Sequence, residues 1–299
     1  VAQAAQKILP EPNAVAINAF GQTNKFYQEN RNATDSNQYT IRGDHRFSDK
    51  NLLFFRFMYF EHNPYPLASN FVPLEASGSR TDDLQNKNVV ISDTHTFSPN
   101  WVNEFRGGLM RNYLNFKVTS ADRNWPEKLG LPNTPQDVFP AFETGFGGLN
   151  PQGTYGQRGS TTPQFVNTVS HIAGKHTTRF GVDVRRLLGD NLQKSYPSGQ
   201  FQFNTGLTTN PQAPTNTGFG YAQFMTGAAG TTSVGTYMGE SQRGYSISTY
   251  VQDDWKVSRR LTLNLGLRYD YQDPAHEMNN GLSNFDPIGI NPENKLKGR

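Results

Sequence analysis

The sequence predicts an all-β fold: part of an antiparallel up-and-down transmembrane β-barrel, with about 8–10 strands of a larger barrel. Three features indicate it: runs of alternating apolar and polar residues, short turns within pairs of such runs, and long polar connections between the pairs. Alternation places successive side chains on opposite faces of a sheet. Short turns at one rim and long loops at the other are typical of outer-membrane barrels.

The composition excludes several other classes of protein. Hydrophobic residues make up 34% of the 299 residues, charged residues 18%, and the mean hydropathy is −0.69. No run approaches the roughly 18 consecutive apolar residues of a membrane helix, which argues against a helical membrane protein. The net charge of +3 is too small for a nucleic-acid-binding surface. With no cysteine, disulfides, Cys-type zinc sites and a Cys nucleophile are excluded.

Four hairpins are predicted from the alternating runs, near residues 38–60, 88–116, 165–188 and 245–271. Their strands are expected to contain about 9–13 residues, the length that a tilted strand needs to cross a bilayer. The last strand shows the pattern most clearly. One face carries Leu261, Leu263, Leu265, Leu267, Tyr269 and Tyr271, and the other Thr262, Asn264, Gly266, Arg268 and Asp270.

Long external loops are predicted between the hairpins, at 61–87, 117–164, 189–243 and 272–299. Loops of this length argue against a compact soluble domain. We divide the chain into an external loop segment, 1–36, and a partial barrel domain, 37–299. Within the loops, Val1–Leu9 is expected to form a short helix and Phe219–Thr226 a helical turn or an extra strand. Neither end of the chain completes a pattern, so we expect it to be part of a longer protein.

The polar strand faces are predicted to line a water-filled lumen. An arginine such as Arg268 would cost about 2–4 kcal/mol at the centre of a bilayer, whereas a Leu/Tyr face is stable there. The predicted lumen residues are Arg42, Asp44, Arg46, Glu104, Arg106, Arg179, Asp183, Arg185, Arg268 and Asp270. Aromatic residues near the strand ends are expected to lie at the membrane interfaces. They are Phe47, Phe97, Trp101, Trp255, Tyr269 and Tyr271.

No catalytic, cofactor or metal site is predicted. The six histidines are scattered, and Asp253 and Asp254 should point to opposite faces of a strand, so they cannot act as paired acids. Thr81–Asp83 is placed in a loop. The glycine-rich stretch Gly145–Gly153 lacks the Gly-Lys-Ser/Thr ending of a phosphate-binding loop. We therefore expect no enzymatic activity.

Two segments of the last hairpin, Tyr250–Val257 and Leu261–Asp270, resemble the barrel segment of TonB-dependent outer-membrane receptors. Four others resemble the Oar-like branch of that family, whose members carry a carboxypeptidase-regulatory-like domain at the N-terminus. They are Ile8–Asn13, Tyr39–Lys50, Asp93–Asn100 and Tyr221–Gly227. The resemblance implies a barrel of about 22 strands in the outer membrane of a Gram-negative bacterium. It also implies contact with outer-membrane lipid, a plug domain and a TonB-type energy-coupling system in the full-length parent, and uptake of an external ligand of unknown identity.

Two alternatives remain open at this stage. One is an outer-membrane surface binding or adhesion protein that has similar loops but transports nothing. The other is a secreted, soluble β-sandwich, which would bury the Leu/Tyr faces in a protein core.

Overall fold

The computed structural model describes residues 1–18, 21–29, 33–66, 76, 79–145, 149, 154–215, 217–235, 238–279, 281 and 289–290. In the first half of the chain these residues form α1 (Ala2–Gln6), β1 (Ala14–Asn18), β2 (Gly21–Lys25), β3 (Thr34–Ser48), β4 (Asn51–Pro64), β5 (Arg80–Ser98), β6 (Trp101–Val118), α2 (Trp125–Lys128) and β7 (Ala141–Glu143). They continue as β8 (Thr154–Ala173), β9 (His176–Ser195), β10 (Gln200–Gln202), α3 (Gly220–Thr226), β11 (Thr231–Ser233), β12 (Met238–Ser258), β13 (Leu261–Gln272) and β14 (His276–Glu277).

A single large antiparallel sheet contains all the long strands, in the order β13-β12-β9-β8-β6-β5-β4-β3, with β14 paired to β12. The four predicted hairpins are confirmed as β3–β4, β5–β6, β8–β9 and β12–β13. Because the long strands belong to one sheet, no two of them face each other across a core, and the β-sandwich alternative does not apply. The sheet is part of a barrel: β3 and β13 lie at its two ends, and their residues are exposed throughout.

Three of the four short turns are built in the same way. In each, the register shifts by a β-bulge just before a serine, between Arg46 and Ser48, Thr96 and Ser98, and Lys256 and Ser258. The serine Oγ then accepts the backbone N–H two residues later, at 3.2–3.3 Å. The fourth turn, Gly174–Lys175, needs no bulge, because Gly174 adopts a φ of 60° that glycine tolerates.

Most strands are longer than the predicted 9–13 residues, which corrects the sequence-based loop boundaries. β5 contains 19 residues, β6 18, β8 and β9 20 each, and β12 21. The additions lie mainly on the side of the long connections, where the sequence is polar and its alternation is weak. Ladder hydrogen bonds satisfy the backbone there whatever the side chains are, so pairing continues beyond the apolar stretch.

Thr81–Asp83 is part of this extension. These residues were predicted to lie in a loop, but they belong to β5 and pair with Asn115–Lys117 of β6. β3 likewise begins at Thr34, inside the segment predicted to be loop. The predicted helix near the N-terminus is confirmed as α1, and Phe219–Thr226 forms α3 rather than a strand.

The main hydrophobic core lies outside the sheet, in a compact unit that we call the loop cap. It consists of α1, α2, α3, the strands β7, β10 and β11, and the loop residues that pack against them. Its centre is a group of buried residues: Ala2, Ala5, Ala76, Leu129, Phe139, Phe142, Leu149, Phe203 and Phe224. Asp137 joins this cap to the sheet, because its Oδ1 accepts from the Tyr155 hydroxyl at 2.8 Å and from Lys194 Nζ at 3.1 Å.

Candidate functional site

The register places all ten predicted lumen residues on one face of the large sheet, which we call the polar face. Direct cross-strand partners share a face, so each row of partners can be followed from β3 to β13. One row contains Asp44, Arg106, Asp183 and Asp270. The row on one side of it contains Arg42 and Arg185. The row on the other side, toward the short turns, contains Arg46, Glu104 and Arg268. Arg179 lies one further row toward the short turns.

We call the ten predicted lumen residues in these rows the belt. Six of them form ion pairs along the strands. Arg42 Nε lies 2.8 Å from Asp44 Oδ2, Arg185 Nη2 2.7 Å from Asp183 Oδ2, and Arg268 Nη2 2.8 Å from Asp270 Oδ1. Each pair is two residues apart, the spacing that brings side chains to the same face of a strand. Arg46, Glu104, Arg106 and Arg179 make no ion pair within the described residues.

Neutral residues complete the belt, and the sequence-based prediction missed them. Gln164 Nε2 donates to both carboxylate oxygens of Asp183, at 2.9 and 3.1 Å. Tyr250, the register partner of Arg268, places its hydroxyl 3.3 Å from Thr168 Oγ1. Alternation alone assigns both residues to the polar face. A search limited to charged residues could not find them.

The opposite face, which we call the apolar face, carries most of the large exposed hydrophobic side chains. Leu267 is 73% exposed, Ile41 62% and Phe165 56%. The aromatic residues predicted to lie at the interfaces include Trp101, which stacks on its register partner His171 at 3.9 Å between ring centroids, and Trp255, which stacks on His176 at 5.4 Å. A soluble sheet would bury such residues, because each large apolar side chain gains about 1.5–3 kcal/mol on burial.

Asp253 and Asp254 lie on opposite faces, as expected. Asp253 is on the apolar face near the short turns, with its Oδ2 2.6 Å from His176 Nδ1, whereas Asp254 pairs in register with Asn264 on the polar face. Among the residues that the structure describes, no group of His, Asp and Glu has the arrangement of a metal site. No helix in the described ranges has the length and apolar character needed to cross a membrane.

The loop cap contains a cavity of about 380 Å³. Aromatic rings form much of its wall, including Phe142, Phe201, Phe203 and Phe224. These rings pack closely, with centroids 5.0–5.6 Å apart for three of their contacts. The cavity therefore combines aromatic rings with polar side chains, Gln3 and Thr226, on the side of the long connections.

Comparison with known families agrees with this geometry. The outer membrane beta-barrel domain family matches residues 1–297, almost the entire chain. The chain belongs to this family. No curated protein matches it.

This outer-membrane barrel chain also resembles a solved structure of P. aeruginosa FpvA, bound to heterologous pyoverdines, with 14% sequence identity and a TM-score of 0.44. The match covers 82% of this chain but only 32% of the FpvA chain, so the present chain spans about a third of that protein. Family membership places the protein in the outer membrane. The apolar face carries the kind of side chains that a bilayer stabilises.

Proposed function

We propose that this chain is part of the barrel of a TonB-dependent receptor of the Oar-like branch, and that the parent protein takes up an external ligand. The polar face lines the lumen and contacts a plug domain supplied by the rest of the parent. The loop cap contributes to ligand capture, and energy comes from a TonB-type system. The protein catalyses no reaction and needs no cofactor.

The observation that carries this proposal is the belt of charges across the polar face. Its rows extend from Asp44 at one end of the sheet to Asp270 at the other. Charged side chains at membrane depth face water or protein and mark the path of a polar solute. A barrel that only displays loops for adhesion does not require such a belt.

The experiment is cysteine labelling of the full-length parent in intact cells. The 299-residue sequence contains no cysteine, so an introduced cysteine is its only reactive thiol. Leu263→Cys and Leu265→Cys report on the apolar face, and Asn264→Cys and Arg268→Cys on the polar face. The Leu positions should react only with a lipid-soluble thiol reagent. The polar positions should react with a water-soluble one.

Transport is tested by repeating the labelling after a protonophore has removed the energy source. In an energised transporter, the reaction rates of Asn264→Cys and Arg268→Cys should change on de-energisation, whereas Leu263→Cys should not respond. Alternating reactivity with no response to the protonophore would instead favour the surface-binding protein. Water-soluble labelling of the Leu positions would reject the assignment of the two faces.

A further inference from the structure

Two cations lie directly opposite each other on the apolar face. Lys87 of β5 and Arg111 of β6 are register partners, and both side chains are exposed. Like charges in directly opposed positions destabilise a sheet. Neither residue forms an ion pair within the described residues. Lys87 Nζ lies 5.8 Å from the ring centroid of Tyr59, and Arg111 Nη1 donates to Thr161 Oγ1 at 3.5 Å.

Two carboxylates on the same face lie near this pair, and each already accepts hydrogen bonds from other side chains. Asp190 lies 2.9 Å from Arg243 Nη2 and accepts from the Ser241 hydroxyl at 2.8 Å. Glu61 accepts from the Tyr59 hydroxyl and from Asn37 Nδ2, each at 2.9 Å. With Asp190 paired to Arg243, the two cations Lys87 and Arg111 face one remaining carboxylate, Glu61, so the surface keeps a net positive charge.

The position of the pair relates this charge to the membrane. Val89 and Leu109, the next residues on the same face toward the short turns, are register partners within the apolar part of the face. On the other side of the pair, toward the long connections, a cleft of about 230 Å³ is lined by Gln85, Lys87, Arg111 and Tyr113. The cations thus lie where the lipid-facing apolar surface ends and a polar cleft begins.

We propose that Lys87 and Arg111 bind the phosphate of a membrane lipid whose acyl chains lie along the apolar face. A lipid fits both the apolar part of this surface and the pair of cations: its chains pack on Val89 and Leu109, and its phosphate neutralises the two cations. Arginine and lysine are the usual phosphate-binding side chains, arginine through paired N–H donors. Since long connections face outward in such barrels, the lipid belongs to the outer leaflet.

Native mass spectrometry of the full-length protein in detergent tests this site, with bisphosphorylated lipid A as the probe. The double variant K87A/R111A should bind it about thirty-fold more weakly than the wild type, from the usual contribution of two cations at a membrane surface. The matched control is R56A/R106A, which removes two arginines from the same region of the polar face, and it should bind as the wild type does. Lipid A stripped of its phosphates should bind all three proteins equally weakly.

Each other outcome overturns the proposal. Equal binding by K87A/R111A and the wild type would show that the pair is not the site, and an equal loss in R56A/R106A would show a nonspecific charge effect. If inorganic phosphate alone binds the wild type as tightly as lipid A does, the site is for a free anion and not for a lipid. Should K87A/R111A fail to assemble, K87Q and R111Q replace it, each with an expected loss of about five-fold.

Discussion

The ring of Tyr250 lies directly over the backbone of Gly181. The two residues are register partners on the polar face, and a Cβ added at Gly181 would clash with Tyr250 Cε1. The absence of a side chain at Gly181 allows the ring to cross β9 and bring its hydroxyl to Thr168 of β8. Covering a strand glycine with an aromatic ring from the neighbouring strand stabilises the register.

Gly181→Ala should therefore destabilise the barrel by about 1–3 kcal/mol, the usual cost of forcing an extra group into a packed position. Thermal unfolding of the full-length protein in detergent, followed by heat-modifiable gel mobility, measures it. Gly43→Ala is the control, since a Cβ there meets nothing within 4 Å. Adding Tyr250→Ala to Gly181→Ala should relieve part of the loss. A strictly additive double variant would contradict the contact.

A charged side chain introduced on the apolar face should destabilise the barrel. Leu267→Arg places a guanidinium on the most exposed leucine of β13 and should cost about 2–4 kcal/mol near the centre of the bilayer. Asn264→Arg, on the polar face of the same strand and opposite Asp254, should be tolerated. The measurement is the amount of folded protein in outer-membrane fractions. Similar losses in both variants would contradict the assignment of the faces.

The loop cap should unfold without unfolding the barrel when its aromatic core is disrupted. Phe142 is 1% exposed and contacts the rings of Phe139, Phe201 and Phe224. Phe142→Ala should cost the cap about 3–5 kcal/mol, and external protease should then cut the cap in intact cells while the barrel stays folded. Phe219→Ala is the control, because Phe219 is 52% exposed. Loss of the barrel together with the cap would show that the two fold as one unit.

Glu277 should make the connection after β13 sensitive to acid. Its carboxylate accepts backbone N–H groups of Gly281, Ser241 and Asn279, at 2.8, 3.1 and 2.6 Å, and these hydrogen bonds lower the pKa of Glu277 below its usual value. A carboxylate whose pKa is lowered by folding stabilises the folded state at pH values above its unfolded-state pKa. This contribution is lost as the pH falls through the folded-state pKa.

Hydrogen exchange at Ser241 and Asn279, corrected for intrinsic rates, should consequently lose protection as the pH falls below the usual range of a glutamate. Glu277→Gln should have low protection at neutral pH and little further change in acid. If acid opens this segment equally in both proteins, another group is responsible.

Alternation in the sequence was sufficient to predict the hairpins and the two faces. On β13 the sequence from Leu261 to Tyr271 alternates without a break, and the polar position Arg268 and the apolar position Leu267 lie on opposite faces, as alternation predicts. The reason is local, since the direction of a side chain on a strand depends only on whether its position is odd or even.

Strand length and side-chain contacts could not be read in this way. Thr81–Asp83 is polar and looks like a loop, yet β6 pairs with it, because a neighbouring extended strand supplies the hydrogen bonds. The aromatic core of the loop cap joins α1 to residues more than a hundred positions away, such as Phe142 and Phe224.

The sequence by itself therefore determined the β architecture, the four hairpins and the polarity of each face, since these follow from local alternation and turn residues. Only the tertiary structure decided which charges share a row, that Tyr250 covers Gly181, and that Lys87 opposes Arg111. Those relationships depend on the register between strands distant in the chain, and register is fixed by hydrogen-bonded pairing across the whole sheet.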